Sequence, residues 1–296
     1  MNFYNDFNIF QFAKKIKRPL VLDGAMGSLL EKSGLTKSDS SWSAKANLRY
    51  SDRVYQIHKE YVEAGADILT TNTFRTNPIS LEQSGVSNFK RYVKKAIELA
   101  FDAKENLPVL IAGSNAPAED CYQVKRTVTK KQLQYNHSAH IDCLIESGCH
   151  FILNETQSHF DEIQIIAKHC DKKNIPYVIS LYFTENLILL SGEKVSEVIK
   201  FLSDTSVLSV GINCVSSSVI IKLSSQIELP GIWGFYLNCF MKYTNENSVC
   251  SISNGDYLVT VQELIHFNPS FIGACCGSNP DFIRAIKGYL DARVKH

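Results

Sequence analysis

The stretch Ser51-Asp-Arg-Val-Tyr-Gln-Ile-His-Lys-Glu-Tyr-Val-Glu-Ala-Gly-Ala-Asp-Ile-Leu-Thr-Thr71 contains one complete structural unit of this chain. Its first part carries apolar side chains at the spacing of an amphipathic helix, and Gly65 is a typical helix stop. The short run Asp67–Thr71 that follows predicts a β-strand ending near Asn72. A helix that leads through a glycine into a short strand is typical of α/β folds with parallel sheets.

The same unit recurs along all 296 residues. Strands are predicted over residues 19–22, 67–71, 108–112, 150–154, 177–181, 207–212, 231–236 and 270–273. The helices that follow them are predicted over residues 51–65, 89–103, 130–146, 160–170, 194–202, 217–225, 259–266 and 280–293. Eight units of about 37 residues fit a (β/α)8 TIM barrel. A doubly wound open sheet is the alternative, but no Gly-rich phosphate loop follows the first strand.

We therefore predict an α/β fold, a (β/α)8 barrel, with residues 1–296 forming a single domain. Residues 33–50 and 240–256 are longer than simple connections, and we expect them to form loops over the barrel mouth.

The composition is that of an ordinary globular protein, with 45% hydrophobic and 21% charged residues. The formal net charge of +1 gives no electrostatic reason to expect a nucleic acid or a membrane surface as partner. No apolar run approaches the ~20 residues needed to span a bilayer, and residues 1–18 lack the apolar region of a secretory signal. We expect a cytoplasmic protein that acts on small molecules, either as a monomer or as a homo-oligomer.

Nine cysteines are a high and odd number, and their spacing shows no small disulfide framework. In a reducing compartment such a pattern points to metal binding or catalysis more often than to cross-links. Cys143, Cys149 and Cys170 are expected to pack as small apolar side chains. The adjacent pair Cys275–Cys276 is the exception.

Residues just past the carboxyl ends of barrel strands build the active sites of TIM-barrel enzymes. Cys214 follows the sixth predicted strand and Cys275–Cys276 follow the eighth, so one metal ion could be reached from both. Three cysteine ligands leave the fourth tetrahedral position of zinc open, which is typical of a catalytic site. A substrate thiol in that position is bound as the nucleophilic thiolate. The other polar or thiol residues at strand ends are Asp23, Asn72, Thr73, Ser114, Asn115, Glu155, Asn238 and Cys239.

Simpler interpretations remain for these residues. The adjacent cysteines could be a coincidence in a chain with nine, and Cys239 could close the site as a fourth, structural ligand. Asp23 before Gly24 could shape a turn, and Glu155 could be a helix N-cap. His58 is expected to be a satisfied core residue.

Five motifs, in this order, resemble the homocysteine S-methyltransferase family and span nearly the whole chain. They are Leu22-Asp-Gly-Ala-Met-Gly27, Ala64-Gly-Ala-Asp-Ile68 with Thr71-Asn-Thr-Phe74, Asn154-Glu-Thr156, Gly211-Ile-Asn-Cys214 and Gly273-Ala-Cys-Cys-Gly277. The fold of that family is a (β/α)8 barrel, which agrees with the strand count.

The resemblance implies a role for each matching residue. Cys214, Cys275 and Cys276 match the ligands of a catalytic Zn²⁺. Asp23 and Glu155 match carboxylates that hold the amino group of homocysteine. Main-chain N–H groups around Gly24 and Ala25 would receive its carboxylate, and Asn213 would support the zinc loop.

The activity implied is methyl transfer from a cationic donor, S-methylmethionine or S-adenosylmethionine, to the homocysteine thiolate, giving methionine. Aromatic candidates for contact with the cation are Phe74, Tyr182, Phe183 and Tyr236. The alternatives are a betaine-type methyltransferase, another thiol or selenol methyltransferase, and a non-catalytic barrel with a structural zinc held by four cysteines. The chain has no room for pterin- or cobalamin-binding modules, which argues against a folate-dependent methionine synthase.

Three segments depart from the family pattern. Gly113-Ser-Asn-Ala-Pro117 stands where many members carry Gly-Pro-Tyr, Ala274 replaces a commoner glycine, and the stretch that begins at Asn238 also differs.

Overall fold

The computed structural model describes residues 8–36, 38–239 and 252–294. Its strands are β1 Leu20–Val21, β2 Ile68–Thr70, β3 Leu110–Asn115, β4 Phe151–Gln157, β5 Tyr177–Leu181, β6 Ser209–Asn213, β7 Trp233–Leu237 and β8 Phe271–Ala274. The helices before β3 are α1 Ile9–Lys15, α2 Gly27–Lys32, α3 Ala46–Arg49, α4 Ser51–Glu63, α5 Pro78–Gln83 and α6 Phe89–Lys104. The later helices are α7 Lys130–Glu146, α8 Phe160–Lys173, α9 Val195–Ser203, α10 Ser217–Gln226, α11 Asn254–Leu264 and α12 Pro280–Val294.

All strand pairs are parallel, in the order β1-β8-β7-β6-β5-β4-β3-β2. The remaining gap between β1 and β2 is closed by a parallel bridge between Leu22 and Ile68. Two backbone hydrogen bonds cross it, from Asp67 N to Val21 O at 2.7 Å and from Asp23 N to Ile68 O at 3.0 Å. The predicted (β/α)8 barrel is confirmed.

The seam between β1 and β2 is reinforced by one carboxylate. Asp67 accepts two hydrogen bonds from the Arg18 guanidinium, at 2.6 and 3.0 Å, and one from the Val21 N–H at 2.8 Å. Both side chains of the ion pair are largely buried, 15% and 24% exposed. Because β1 has only two residues, it forms few backbone hydrogen bonds, and the hydrogen bonds of Asp67 add to them.

The barrel interior is filled by a cluster of side chains that includes Phe151, Leu153, Val178 and Phe271. Phe10 of α1 packs into this cluster, with ring centroids 5.9 Å from Phe151 and 5.2 Å from Phe271. Because Phe151 and Phe271 are the first residues of β4 and β8, α1 closes the amino-terminal end of the barrel. A second, larger core lies between the strands and the outer helices.

The ends of β3 and β4 and the start of α11 differ from the sequence prediction. Strands β3 and β4 each continue three residues further than expected, so Ser114, Asn115 and Glu155 lie within strands rather than after them. Helix α11 begins at Asn254 instead of residue 259, because Ser253 and Asp256 form a capping box at its start. The end of the predicted loop 240–256 is thus helical, and residues 240–251 lie outside the described residues.

No helix among the described residues is long and apolar enough to cross a membrane.

Replacing Asp67 with alanine should lower the free energy of unfolding by about 2 kcal/mol, because the Val21 N–H loses its side-chain acceptor and the largely buried Arg18 is left with its longer ion pair to Asp291 at 3.3 Å. Guanidinium denaturation followed by circular dichroism measures this. Asp281→Ala is the matched control, since its ion pair with Arg284 is exposed and should change stability by less than about 0.5 kcal/mol. Equal effects of the two substitutions would contradict a special role for the seam.

Candidate active site

Three thiols meet at the carboxyl end of the barrel. Cys214 directly follows β6, and Cys275 and Cys276 directly follow β8. Their sulfur atoms all lie within 4.8 Å of one another, and those of Cys275 and Cys276 are 3.9 Å apart. The strand between them fixes this arrangement, because Tyr236 O accepts from Cys214 N at 3.3 Å and Leu237 O accepts from Cys275 N at 2.9 Å.

Asn213 joins the end of β6 to the end of β4. Its side-chain amide donates to Thr156 Oγ1 at 2.8 Å and to Cys214 Sγ at 3.4 Å, while its Oδ1 accepts from Thr156 N at 3.0 Å. Both neighbours have backbone in the left-handed region, with φ of 55° at Thr156 and 56° at Cys214. Such strain at non-glycine residues persists only where the surroundings hold it, and it concentrates at functional sites.

The three thiols share their protons unevenly. Hydrogen bonds from Cys214 and Cys275, together with one from the Ser28 hydroxyl, hold the pKa of Cys276 well below its ordinary value. Hydrogen bonding with Cys214 and Cys276, and burial, raise the pKa of Cys275. The cluster therefore retains one thiolate more readily than three, as closely spaced like charges require.

Asp23 follows β1 and is only 4% exposed. Its carboxylate accepts from Thr70 N at 2.8 Å. Burial raises its pKa well above the ordinary value, against the Thr70 hydrogen bond, and the charge of Glu155 raises it further. Asp23 thus bonds the end of β2 in addition to facing the cavity.

Glu155 lies in β4 and is partly exposed, but only to the cavity. Burial raises its pKa to about 7, although the Ser114 hydroxyl donates a hydrogen bond to it and the Tyr236 hydroxyl also favours the ionised form. That Tyr236 hydroxyl makes no hydrogen bond of good geometry within the described residues. Neither Asp23 nor Glu155 forms an ion pair within the described part of the chain, so a ligand could supply their cationic partner.

The backbone around Gly24 and Ala25 is packed tightly against the start of α12. A Cβ atom at Gly24 would lie 2.7 Å from both Ser278 Oγ and Tyr61 Oη, so only glycine fits. The Ala25 N–H, predicted to receive a substrate carboxylate, donates instead to Ser278 Oγ at 3.0 Å. A carboxylate could reach it only by replacing or sharing that hydroxyl.

The three cysteines, Asp23 and Glu155 open into one cavity of about 680 Å³. Residues 38–40, 42 and 43 of the first long loop line its mouth, as predicted for a loop over the barrel. Of the four aromatic candidates, Phe74 and Tyr236 line the cavity. Tyr182 and Phe183 are not among the lining residues, and Phe183 is part of the core. Trp42, which the sequence analysis did not select, contacts Phe74 at the mouth with ring centroids 6.3 Å apart.

Cys239 and His58 are both fully buried. Cys239 is fully buried and does not belong to the thiol cluster found among the described residues, which leaves the alternative of a structural four-cysteine zinc without its fourth ligand. His58 is a core residue, as expected, but the prediction that it is satisfied is wrong, since neither ring nitrogen has a hydrogen-bond partner in the described part of the chain. Its burial lowers its pKa to about 4, so it remains neutral.

Two serines of the site were missed by sequence reasoning, which considered only strand ends. Ser28 lies in α2, donates to Cys276 and accepts from Gly277 N at 3.3 Å. Ser278 lies two residues beyond Cys276 and bonds Ala25. The proximity of Ser278 to the cysteine pair was a usable signal, whereas nothing local in the sequence marks Ser28.

The thiol cluster fits a single soft metal ion. Ligands 2.3 Å from a tetrahedral zinc are ~3.8 Å apart, close to the separation of the Cys275 and Cys276 sulfurs. Three sulfur ligands favour zinc over metals that prefer oxygen.

Replacing Glu155 with glutamine should flatten the pH dependence of stability in the metal-free protein. Between the ordinary glutamate pKa and about 7 the folded protein binds the extra proton, so its stability falls as pH rises, by up to about 1.4 kcal/mol per unit. Denaturant titrations at several pH values from 5 to 7 measure the slope for both proteins. Identical slopes would show that Glu155 ionises normally.

Comparison with known proteins agrees with this geometry. Homocysteine S-methyltransferase 2 of Zea mays is 27% identical over 92% of this chain and 90% of its own length. Selenocysteine Se-methyltransferase of Brassica oleracea var. italica is 26% identical over 92% and 89%. The structure of the homocysteine methyltransferase MmuM from Escherichia coli, in its metallated form, superposes with a TM-score of 0.77 at 26% identity, over 92% of this chain and 96% of that one.

The family model described as homocysteine S-methyltransferase matches residues 20–290, nearly the whole barrel. The resemblance seen in the sequence motifs is confirmed. The chain is a methyltransferase and belongs to the homocysteine S-methyltransferase family.

Proposed function

We propose that the protein transfers a methyl group from a sulfonium donor, S-methylmethionine or S-adenosylmethionine, to the sulfur of homocysteine, giving methionine. The observation that carries this proposal is the cluster of three cysteine sulfurs in the same cavity as the buried carboxyl group of Asp23 and the carboxyl group of Glu155. The relatives named above act on homocysteine or selenocysteine, both amino acids whose nucleophile is a sulfur or selenium atom.

Cys214, Cys275 and Cys276 would hold Zn²⁺, which when bound keeps a substrate thiol deprotonated at neutral pH. Asn213 would position the Cys214 thiol, because its side chain bonds both Cys214 Sγ and Thr156 N near the end of β4. Outer partners of this kind orient metal ligands and affect metal affinity.

Asp23 and Glu155 would bind the amino group of homocysteine. Their burial without a cationic partner is costly, and an ammonium group entering between them would let both ionise. The N–H of Ala25 and the hydroxyl of Ser278 are available for the substrate carboxylate once their mutual bond is exchanged. The substrate would thus be oriented at both ends before its sulfur meets the donor methyl group.

The selenol alternative has a specific observation behind it, since one of the named relatives is a selenocysteine Se-methyltransferase. A cysteine-type acceptor is one methylene shorter than homocysteine. We favour homocysteine because the family model that matches residues 20–290 is described as homocysteine S-methyltransferase.

The reduced, zinc-loaded protein should form methionine from homocysteine and S-methylmethionine, and Cys275→Ser should lose both the zinc and the activity. Cys239→Ala is the matched cysteine control, because Cys239 lies outside the thiol cluster. It should keep one zinc per chain and most of the activity. Zinc analysis and chromatographic detection of methionine measure the two properties.

Two outcomes of that assay would contradict the proposal. If Cys275→Ser retained its zinc, the thiol cluster would not be the metal site. If the zinc-loaded wild-type protein formed no methionine from any sulfonium donor, the activity would be wrong while the metal site remained.

Asp23→Asn should weaken homocysteine binding by about tenfold or more, because the ammonium group loses a charged partner. Its zinc content should not change. Binding of 4-mercaptobutyrate, which is homocysteine without the amino group, should be equally weak in both proteins. A loss of affinity for both thiols alike would show that Asp23 acts only through the fold.

A further inference from the structure

The cavity is acidic with one exception. Of the described residues that line it, Arg75 is the only one with a cationic side chain, among six carboxylates, Asp23, Glu31, Asp39, Glu119, Asp120 and Glu155. An acidic cavity suits an onium donor. A cation in its wall opposes such a donor, unless the donor also carries an anion.

Arg75 is held in a defined position. It lies in the loop after β2, its guanidinium carbon is 5.1 Å from the centroid of the Phe74 ring, and its Nη1 donates to Glu119 O at 2.6 Å. Within the described residues it forms no ion pair with a carboxylate. A guanidinium has five N–H donors in a planar fork, so the bond to Glu119 leaves most of them for a ligand.

Two of the nearby acidic side chains are occupied elsewhere. The Glu119 carboxylate accepts from Thr127 N at 2.8 Å and Val128 N at 3.3 Å, and these bonds lower its pKa despite its partial burial. Asp39 pairs with Lys45 at 2.9 Å. The charge of Arg75 is therefore directed at the cavity rather than neutralised by its neighbours.

The loop on which Arg75 rests is fixed independently. Ser158 Oγ donates to Cys121 O at 2.9 Å, His159 Nε2 lies 3.1 Å from Val124 O, and Arg126 bonds Asp161 at 2.5 Å. This loop, residues 116–129, follows the segment that departs from the family pattern. These three contacts hold the loop without Arg75. The hydrogen bond to Glu119 O therefore positions the arginine as well as the loop.

We propose that Arg75 is a specificity-determining residue that binds the carboxylate of the methyl donor, so the donor is an onium compound that carries a carboxylate. This inference rests on the proposed methyl transfer. The homocysteine carboxylate is assigned to the strand ends near Ala25, beside the thiols. Arg75 lies beyond the end of β2 in the loop that lines the same cavity, which leaves it for the second substrate.

The test compares S-methylmethionine with its decarboxylated analogue, (3-aminopropyl)dimethylsulfonium. Calorimetry measures the binding of each compound to the zinc-loaded protein. Homoserine replaces homocysteine in these titrations, because it cannot accept the methyl group. Wild-type protein should prefer the carboxylate-bearing donor by about tenfold to a hundredfold. Arg75→Met should abolish that preference by weakening S-methylmethionine, without weakening the analogue or homocysteine, and Arg75→Lys should restore part of it.

Arg126→Gln is the matched control, because Arg126 fixes the same loop from outside the cavity. It should affect both donors alike. The proposal is overturned if Arg75→Met behaves like Arg126→Gln, if it weakens homocysteine instead of the donor, or if wild-type protein does not bind S-methylmethionine or does not distinguish the two donors. Selective binding that depends on Arg75, without any methyl transfer, would support the anchor and refute the proposed activity.

Discussion

Two consecutive carbonyl groups of β7 hold the thiol cluster together. Tyr236 O fixes the backbone after β6, and Leu237 O fixes the backbone after β8, so cysteines far apart in sequence face each other across one strand. This arrangement exists only because β6, β7 and β8 run parallel in matched register, which places their carboxyl ends at one rim. The closure of the barrel at the β1–β2 seam then brings Asp23 to the same rim.

The floor of the site is electrostatically incomplete without ligands. Burial opposes ionisation of Asp23 and Glu155, and the mutual proximity of three thiols opposes ionisation of more than one. A divalent cation and an ammonium group would each relieve one of these costs. Ligand binding would then ionise carboxyl and thiol groups that already face the substrate, and the protein would not need to reorganise. The strained backbone at Thr156 and Cys214 is part of the same preorganisation, held by Asn213.

Much of this could be predicted from the sequence, because parallel strands and amphipathic helices leave periodic signals. The strand ends located Cys214, Cys275 and Asp23 correctly. The continuation of β3 and β4 could not be predicted, because polar residues such as Ser114, Asn115 and Glu155 are typical of loops. Asn115 remains in β3, where its side-chain amide donates to Asn154 Oδ1 at 2.8 Å inside the barrel wall. Ser28 and the packing of α1 depend on tertiary contacts that leave no local pattern.

Under the proposed function, the barrel would divide the two substrates between two kinds of structure. Strand ends, fixed by backbone hydrogen bonds in the sheet, hold the thiols and the carboxylates that would face the acceptor. Loops hold the groups that would face the donor, including Phe74, Arg75 and the segment after β3. A loop can change without disturbing the register of the sheet, so acceptor chemistry can stay constant while donor choice varies. The altered loop after β3, with an arginine resting on its backbone at Glu119, is the kind of change this division permits.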